Sequence, residues 1–151
     1  MVMELKINKI WDMLQKIPDP EIPNVSIVEM GIVRGVKYYD DKLNVTITPT
    51  YSGCPAMNLI KTEIKQNLIM EGINDFEINT SLFPPWTTEW LNDDTKNKLK
   101  SIGIAPPEKK IECPYCNSDE VQVISEFGST ACKAFYKCMD CIETFEYFKC
   151  I

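Results

Sequence analysis

Two pairs of cysteines, Cys113-Pro-Tyr-Cys116 and Cys138-Met-Asp-Cys141, stand 21 residues apart in a chain that contains no histidine. A two-residue gap lets one tight turn aim two sulfurs at one ion, and two such turns give four thiolates around a tetrahedral site. The segments "VQVIS", "AFYKC" and "FEYF" are short and rich in β-branched and aromatic residues, so they predict the strands that carry the turns. A module of about forty residues cannot bury enough apolar area to fold unaided, so a metal must contribute folding energy. Four closed thiolates leave no open coordination position for a substrate. The expectation is therefore a structural Zn²⁺ on Cys113, Cys116, Cys138 and Cys141, in a zinc ribbon. Thiolate sets of this kind also hold iron, which keeps iron on the same four sulfurs as the rival.

The missing histidine removes further chemistry. There is no Ser-His-Asp or Cys-His nucleophile pair and no imidazole ligand, so no catalytic constellation is visible and the chain does not read as an enzyme. A thiol enzyme built on one cysteine would need a carboxylate or a helix dipole as its base, a weak arrangement. The net charge is −6, and residues 108–151 hold eight acids against five lysines. Neither part carries the basic field that a phosphate backbone requires, which argues against nucleic acid. No apolar run approaches the roughly 18 residues of a membrane span, and "MVMELKINKIWDML" lacks the apolar centre of a secretory signal. The expected location is the cytoplasm, where seven cysteines suggest metal binding rather than disulfides.

Ahead of the cysteine pairs the pattern is that of an α/β, two-layer domain over residues 1–105, followed by a linker and ribbon over 106–151. Ile10, Trp11, Leu14 and Ile17 share a helical face that Pro18 ends. Three prolines in "PDPEIPNVS" predict a stiff, extended loop. Leu43, Val45 and Ile47 alternate with polar residues, giving one strand of a pair around an Asp40-Asp41 turn. Ala56, Ile60, Ile64 and Leu68 lie four apart on a second helix that Gly72 closes. "FEINTSL" predicts a third strand, and "DTKNKLKSI" a short helix ended by Gly103.

Cys54 lies far from the other cysteines, in "TPTYSGCPAMN". Proline suits the first helical position, so Pro55 makes Cys54 the helix cap. Unpaired N–H groups and the helix dipole there would lower the thiol pKa and favour a ligand or a nucleophile. Gly53 permits close approach of a partner or ion. A cysteine buried under the sheet is the plainer alternative. Asp19 and Glu21, held between prolines, are candidate companions or an exposed acidic loop. Cys132 and Cys150 read as small buried hydrophobes or as free thiols near a metal-transfer surface. Trp86 and Trp90 suit either a core or a docking segment.

"DPEIPNVSIVEMGIV" followed by "TPTYSGCPAMN" resembles the metal–sulfur cluster assembly factor family, small α/β proteins of iron–sulfur maturation. The joint order of these motifs with "PPWTTEWLNDDTKNKLKSIGIAPP", the cysteine pairs and "SEFGSTACKA" is similar to the PaaD branch, accessory subunits of phenylacetyl-CoA epoxidase systems. The resemblance spans nearly the entire chain. It implies that Asp19, Glu21 and Cys54 line one site flanked by Thr50 and Ser52. It implies a maturation role, with iron or an iron–sulfur cluster held transiently at Cys54 and the reductase component as the client. One cysteine cannot hold a cluster alone, so the remaining ligands would come from a homodimer partner, a client or a small thiol. The alternative is an adaptor that assembles the oxygenase complex through its zinc ribbon and transfers no metal.

Overall fold

In a computed structural model of the chain, which describes residues 2–51 and 53–150, contacts divide the molecule into two units: residues up to Trp86 and residues from Thr87 onward. The first begins with helix α1 (Val2–Leu14), which buries Ile10 and Leu14. Ile17, expected on the same face, is buried just beyond the helix end.

The loop that follows is folded back rather than extended. Asp19 N–H donates to Val25 O (2.8 Å), Val25 N–H to Ile22 O (3.0 Å), and Pro18 pairs with Ser26 in an antiparallel bridge. Proline fixes φ and removes a donor at its own position, but it does not prevent its neighbours from closing a turn. Burial of Ile22, Val25 and Ile27, each at most 2% exposed, draws the loop onto the core.

Strands β1 (Val33–Tyr39) and β2 (Lys42–Ile47) form an antiparallel hairpin. Its turn residues Asp40 and Asp41 both have positive φ (48° and 64°), the geometry of a two-residue turn that matches strand twist. Leu43, Val45 and Ile47 are fully buried, as their alternation predicts. β3 (Phe76–Thr80) pairs parallel with β2, and the crossover is helix α2 (Ala56–Met70). The sheet order is β1-β2-β3. α2 buries Ala56, Ile60, Ile64 and Leu68. It ends at Gly72 (φ 79°), where Ile73 N–H reaches back to Leu68 O. Trp86 completes this unit. It is 4% exposed, with Nε1 donating to Met30 O (2.7 Å), so it serves the core rather than a docking surface.

The second unit holds a 3₁₀ turn (Thr88–Trp90), helix α3 (Asp93–Ser101) and four strands: β4 (Ile104–Ala105), β5 (Val121–Ser125), β6 (Lys133–Cys138) and β7 (Thr144–Phe148). Asn92 caps α3 by accepting from Thr95 N–H (2.8 Å). The sheet order is β4-β7-β6-β5, antiparallel except for the short parallel pair β4–β7. The sequence predicts a boundary at 105, whereas α3 and β4 lie in the unit from Thr87 onward. The physical reason is β4: Ile104 and Ala105 pair with Glu146 and Tyr147, and Ala105 joins the core of Ala134, Phe145 and Tyr147. Nor is the "APPEKK" segment a loose linker. Tyr147 Oη donates to Glu108 O (2.8 Å), and Lys96 Nζ pairs with Glu108 (3.0 Å).

Candidate metal centre and the Cys54 site

The four ribbon cysteines converge. Their sulfurs all lie within 4.8 Å of one another, with Cys113–Cys141 at 3.7 Å and Cys116–Cys138 at 3.5 Å. A tetrahedral zinc with Zn–S bonds of ~2.3 Å spaces its sulfurs about 3.8 Å apart, so the set fits the ion. The two turns are alike. Each is followed by one residue at left-handed φ, Asn117 (63°) after Cys116 and Ile142 (67°) after Cys141. In the first, Asn117 N–H donates to Cys113 O and Cys113 N–H to Ser118 O; in the second, Cys138 N–H donates to Glu143 O. The Ser118 hydroxyl donates to the Asp140 carboxylate and ties the turns together. Cys113 and Cys138 are buried, Cys116 and Cys141 exposed. The sulfurs do not titrate alike. The N–H of Cys141, aided by that of Asp140, holds Cys138 down to about 7. For Cys141 the Glu143 N–H favours the thiolate, but burial and the neighbouring sulfurs outweigh it and push the thiol up to about 12. Such a set becomes fully ionised when a cation offsets the crowded charge.

Cys54 sits apart, on the loop that opens α2. Regular helix begins at Ala56, and Pro55 is already helical (φ −69°, ψ −20°), so Cys54 stands one residue before the helix boundary. Its carbonyl accepts from Met57 N–H (3.4 Å). Gly53 has φ 75°, and nothing lies within 4 Å of where a Cβ would be. The left-handed turn alone accounts for a glycine at this position.

The thiol is partly buried, and its pKa is raised above the ordinary 9.0, opposite to what its position at a helix start predicts. Burial is the main cause, and the nearby Glu21 carboxylate adds to it. The Ala56 N–H, Thr50 and Tyr51 each bond the sulfur and pull the other way, without prevailing. Glu21 is therefore brought to Cys54, as is Thr50, which is 7% exposed. Ser52 lies outside the described residues. Asp19 is 5% exposed, and its Oδ1 accepts from Glu21 N–H (2.7 Å) and Ile22 N–H (3.1 Å), so it shapes the turn that presents Glu21. Tyr51 is a member that the sequence does not single out; only its place beside the Gly-Cys turn could have signalled it.

The two remaining cysteines part ways. Cys132 is buried beside the Thr130 hydroxyl (3.0 Å), a small core residue. Cys150 is exposed, its sulfur 3.4 Å from Tyr147 Oη.

Residues 99–149 match the PaaD zinc beta ribbon domain, and residues 7–80 match the iron-sulfur cluster assembly protein family. The chain is 41% identical to a putative 1,2-phenylacetyl-CoA epoxidase subunit of Escherichia coli K12, over 97% of this chain and 94% of that protein. The chain belongs to the PaaD family of phenylacetyl-CoA epoxidase subunits. This PaaD-type chain is also 35% identical to the Fe-S protein maturation auxiliary factor YitW of Bacillus subtilis, over 57% of its own length and 85% of the relative's. The crystal structure of a DUF59 domain from Bacillus anthracis superposes with a TM-score of 0.60 at 31% identity, covering 66% of this chain and 95% of that one. The PaaD-type chain thus joins an iron–sulfur assembly domain to a four-cysteine ribbon. Among its described residues no helix is long and apolar enough to cross a membrane.

Proposed function

We propose that the chain is a non-enzymatic maturation factor of a phenylacetyl-CoA epoxidase system, carrying iron or an iron–sulfur cluster as cargo at Cys54 and passing it to the reductase component in the cytoplasm. Zn²⁺ on Cys113, Cys116, Cys138 and Cys141 folds the ribbon and takes no part in transfer. The observation that carries this reading is the contrast between the two thiol sites. One is a closed set of four sulfurs within 4.8 Å. The other is a single partly buried thiol with N–H and side-chain hydrogen bonds and a carboxylate, Glu21, close enough to act on it. A thiol held neutral must release its proton to bind a cation, and reprotonation releases the cation again. That suits a carrier better than a store. Asp19 orients the turn, Glu21 stands as a second ligand, and the remaining positions are filled by a second copy, the client or a small thiol. The likeness to maturation auxiliary factors supports this assignment.

The adaptor reading keeps the ribbon and removes the cargo. The two separate in an assay of cluster formation in the apo-reductase, with the chain added as wild type, Cys54→Ser or Cys113→Ser. The carrier reading expects Cys54→Ser to remove the acceleration while zinc and fold persist. If Cys54→Ser accelerates as wild type does and only Cys113→Ser fails, the chain is an adaptor.

A further inference from the structure

We propose that the open face of the β1-β2-β3 sheet binds a small, ring-bearing organic anion, in a trough floored by Gly35, Thr46 and Asn79. One face of this sheet is buried, and the other carries a cavity of about 430 Å³ lined by polar side chains and by Phe83 and Pro84. That volume falls in the range of small-molecule sites. The trough follows from the register. Gly35, Thr46 and Asn79 form one row across the three strands, and Lys37, Asn44 and Glu77 form the next.

Gly35 is the key residue. Glycine inside a strand is destabilising unless something requires it. Its φ is not positive, and nothing lies within 4 Å of a Cβ built there, so neither a left-handed backbone nor packing requires it. It also lies at a register irregularity of β1, and bulges of this kind re-aim side chains near sites. The missing side chain leaves the trough floor open for a ligand.

The lining determines the ligand's charge. In a chain of net charge −6, Arg34 and Lys37 line the cavity, and among the described residues no carboxylate does. The acid on the adjacent row, Glu77, is engaged by Lys42 (3.8 Å). Asn44 and Asn79 are tied by a side-chain hydrogen bond (3.2 Å), which orients the Asn79 amide at the floor. Exposed Tyr39 and Phe83 border the cavity and offer ring faces. A phosphate or carboxylate meets the cations, while a flat ring meets the aromatic rim.

The test is an amide-resonance titration of the full, zinc-loaded chain with adenosine 5′-monophosphate, benzoate, inorganic phosphate and adenosine. Saturable shifts confined to Gly35, Lys37, Thr46 and Asn79 are expected from at least one of the two ring anions, about tenfold tighter than from phosphate or adenosine. Which ring anion wins tells phosphate from carboxylate recognition. Gly35→Leu should remove binding with no loss of melting temperature, and Arg34→Gln/Lys37→Gln should weaken it by about tenfold. No saturable shift from either ring anion at about 10 mM overturns the proposal. So does undiminished affinity in both variants, or equal affinity for neutral adenosine.

Discussion

Cys54 is worked on from two sides, and the balance can be shifted by one charge. Burial and Glu21 disfavour its thiolate, while the Ala56 N–H, Thr50 and Tyr51 favour it. Removing the Glu21 charge lowers the pKa, and below that pKa the thiolate fraction rises in proportion. Glu21→Gln should therefore speed alkylation of Cys54 by iodoacetamide at about pH 8 by roughly two- to fivefold. Mass spectrometry of the Cys54 peptide reads the rate, and a slower rate would place Glu21 elsewhere. Ile142 is the residue-scale counterpart in the ribbon. A β-branched side chain at φ 67° is strained, and at 59% exposure Ile142 gains little from burial there. Ile142→Asn should stabilise the zinc-loaded chain by ~1 kcal/mol, seen as a higher melting temperature. Asn117→Ile, at the matching position of the other turn, should lose a similar amount.

At the scale of elements, what can be read from the sequence follows periodicity. The four-residue spacing of Ala56, Ile60, Ile64 and Leu68 and the alternation of Leu43, Val45 and Ile47 place α2 and β2 as observed. The three ribbon strands are legible from their β-branched and aromatic content. β4 has two residues and no period to read. The loop after α1 departs from expectation because its shape comes from a side chain. Its prolines suggest a stiff extension, yet the Asp19 carboxylate accepts two backbone N–H groups and closes the turn. Asp19→Ala should cost about 1–3 kcal/mol in urea denaturation, and Asp19→Asn, which keeps an acceptor oxygen, markedly less. If the two variants lose equal stability, the turn depends on the charge of Asp19 rather than on its hydrogen bonds. The raised pKa of Cys54 is hidden for a related reason. A sequence marks a helix start but shows neither the depth of a sulfur nor a carboxylate brought in by another loop.

Across the whole molecule, the two units carry two arrangements of cysteine, a single Cys54 in the first and four converging sulfurs in the second. The four-sulfur set of the ribbon is legible in full, because four sulfurs at fixed spacing admit few arrangements. At the Cys54 loop the resemblance names Glu21, which the structure brings near the sulfur, but neither it nor the sequence pattern reaches Tyr51. Trp86, open between core and surface in the sequence, proves to be core because its ring nitrogen finds the Met30 carbonyl. The central claim is that zinc belongs to the ribbon and iron to Cys54. The direct measurement is zinc, iron and sulfide per chain in wild type and Cys54→Ser, purified without oxygen and reconstituted side by side. One zinc is expected in both, with iron in the wild type alone. Iron retained undiminished in Cys54→Ser, or no iron in the wild type under any reconstitution, would contradict it.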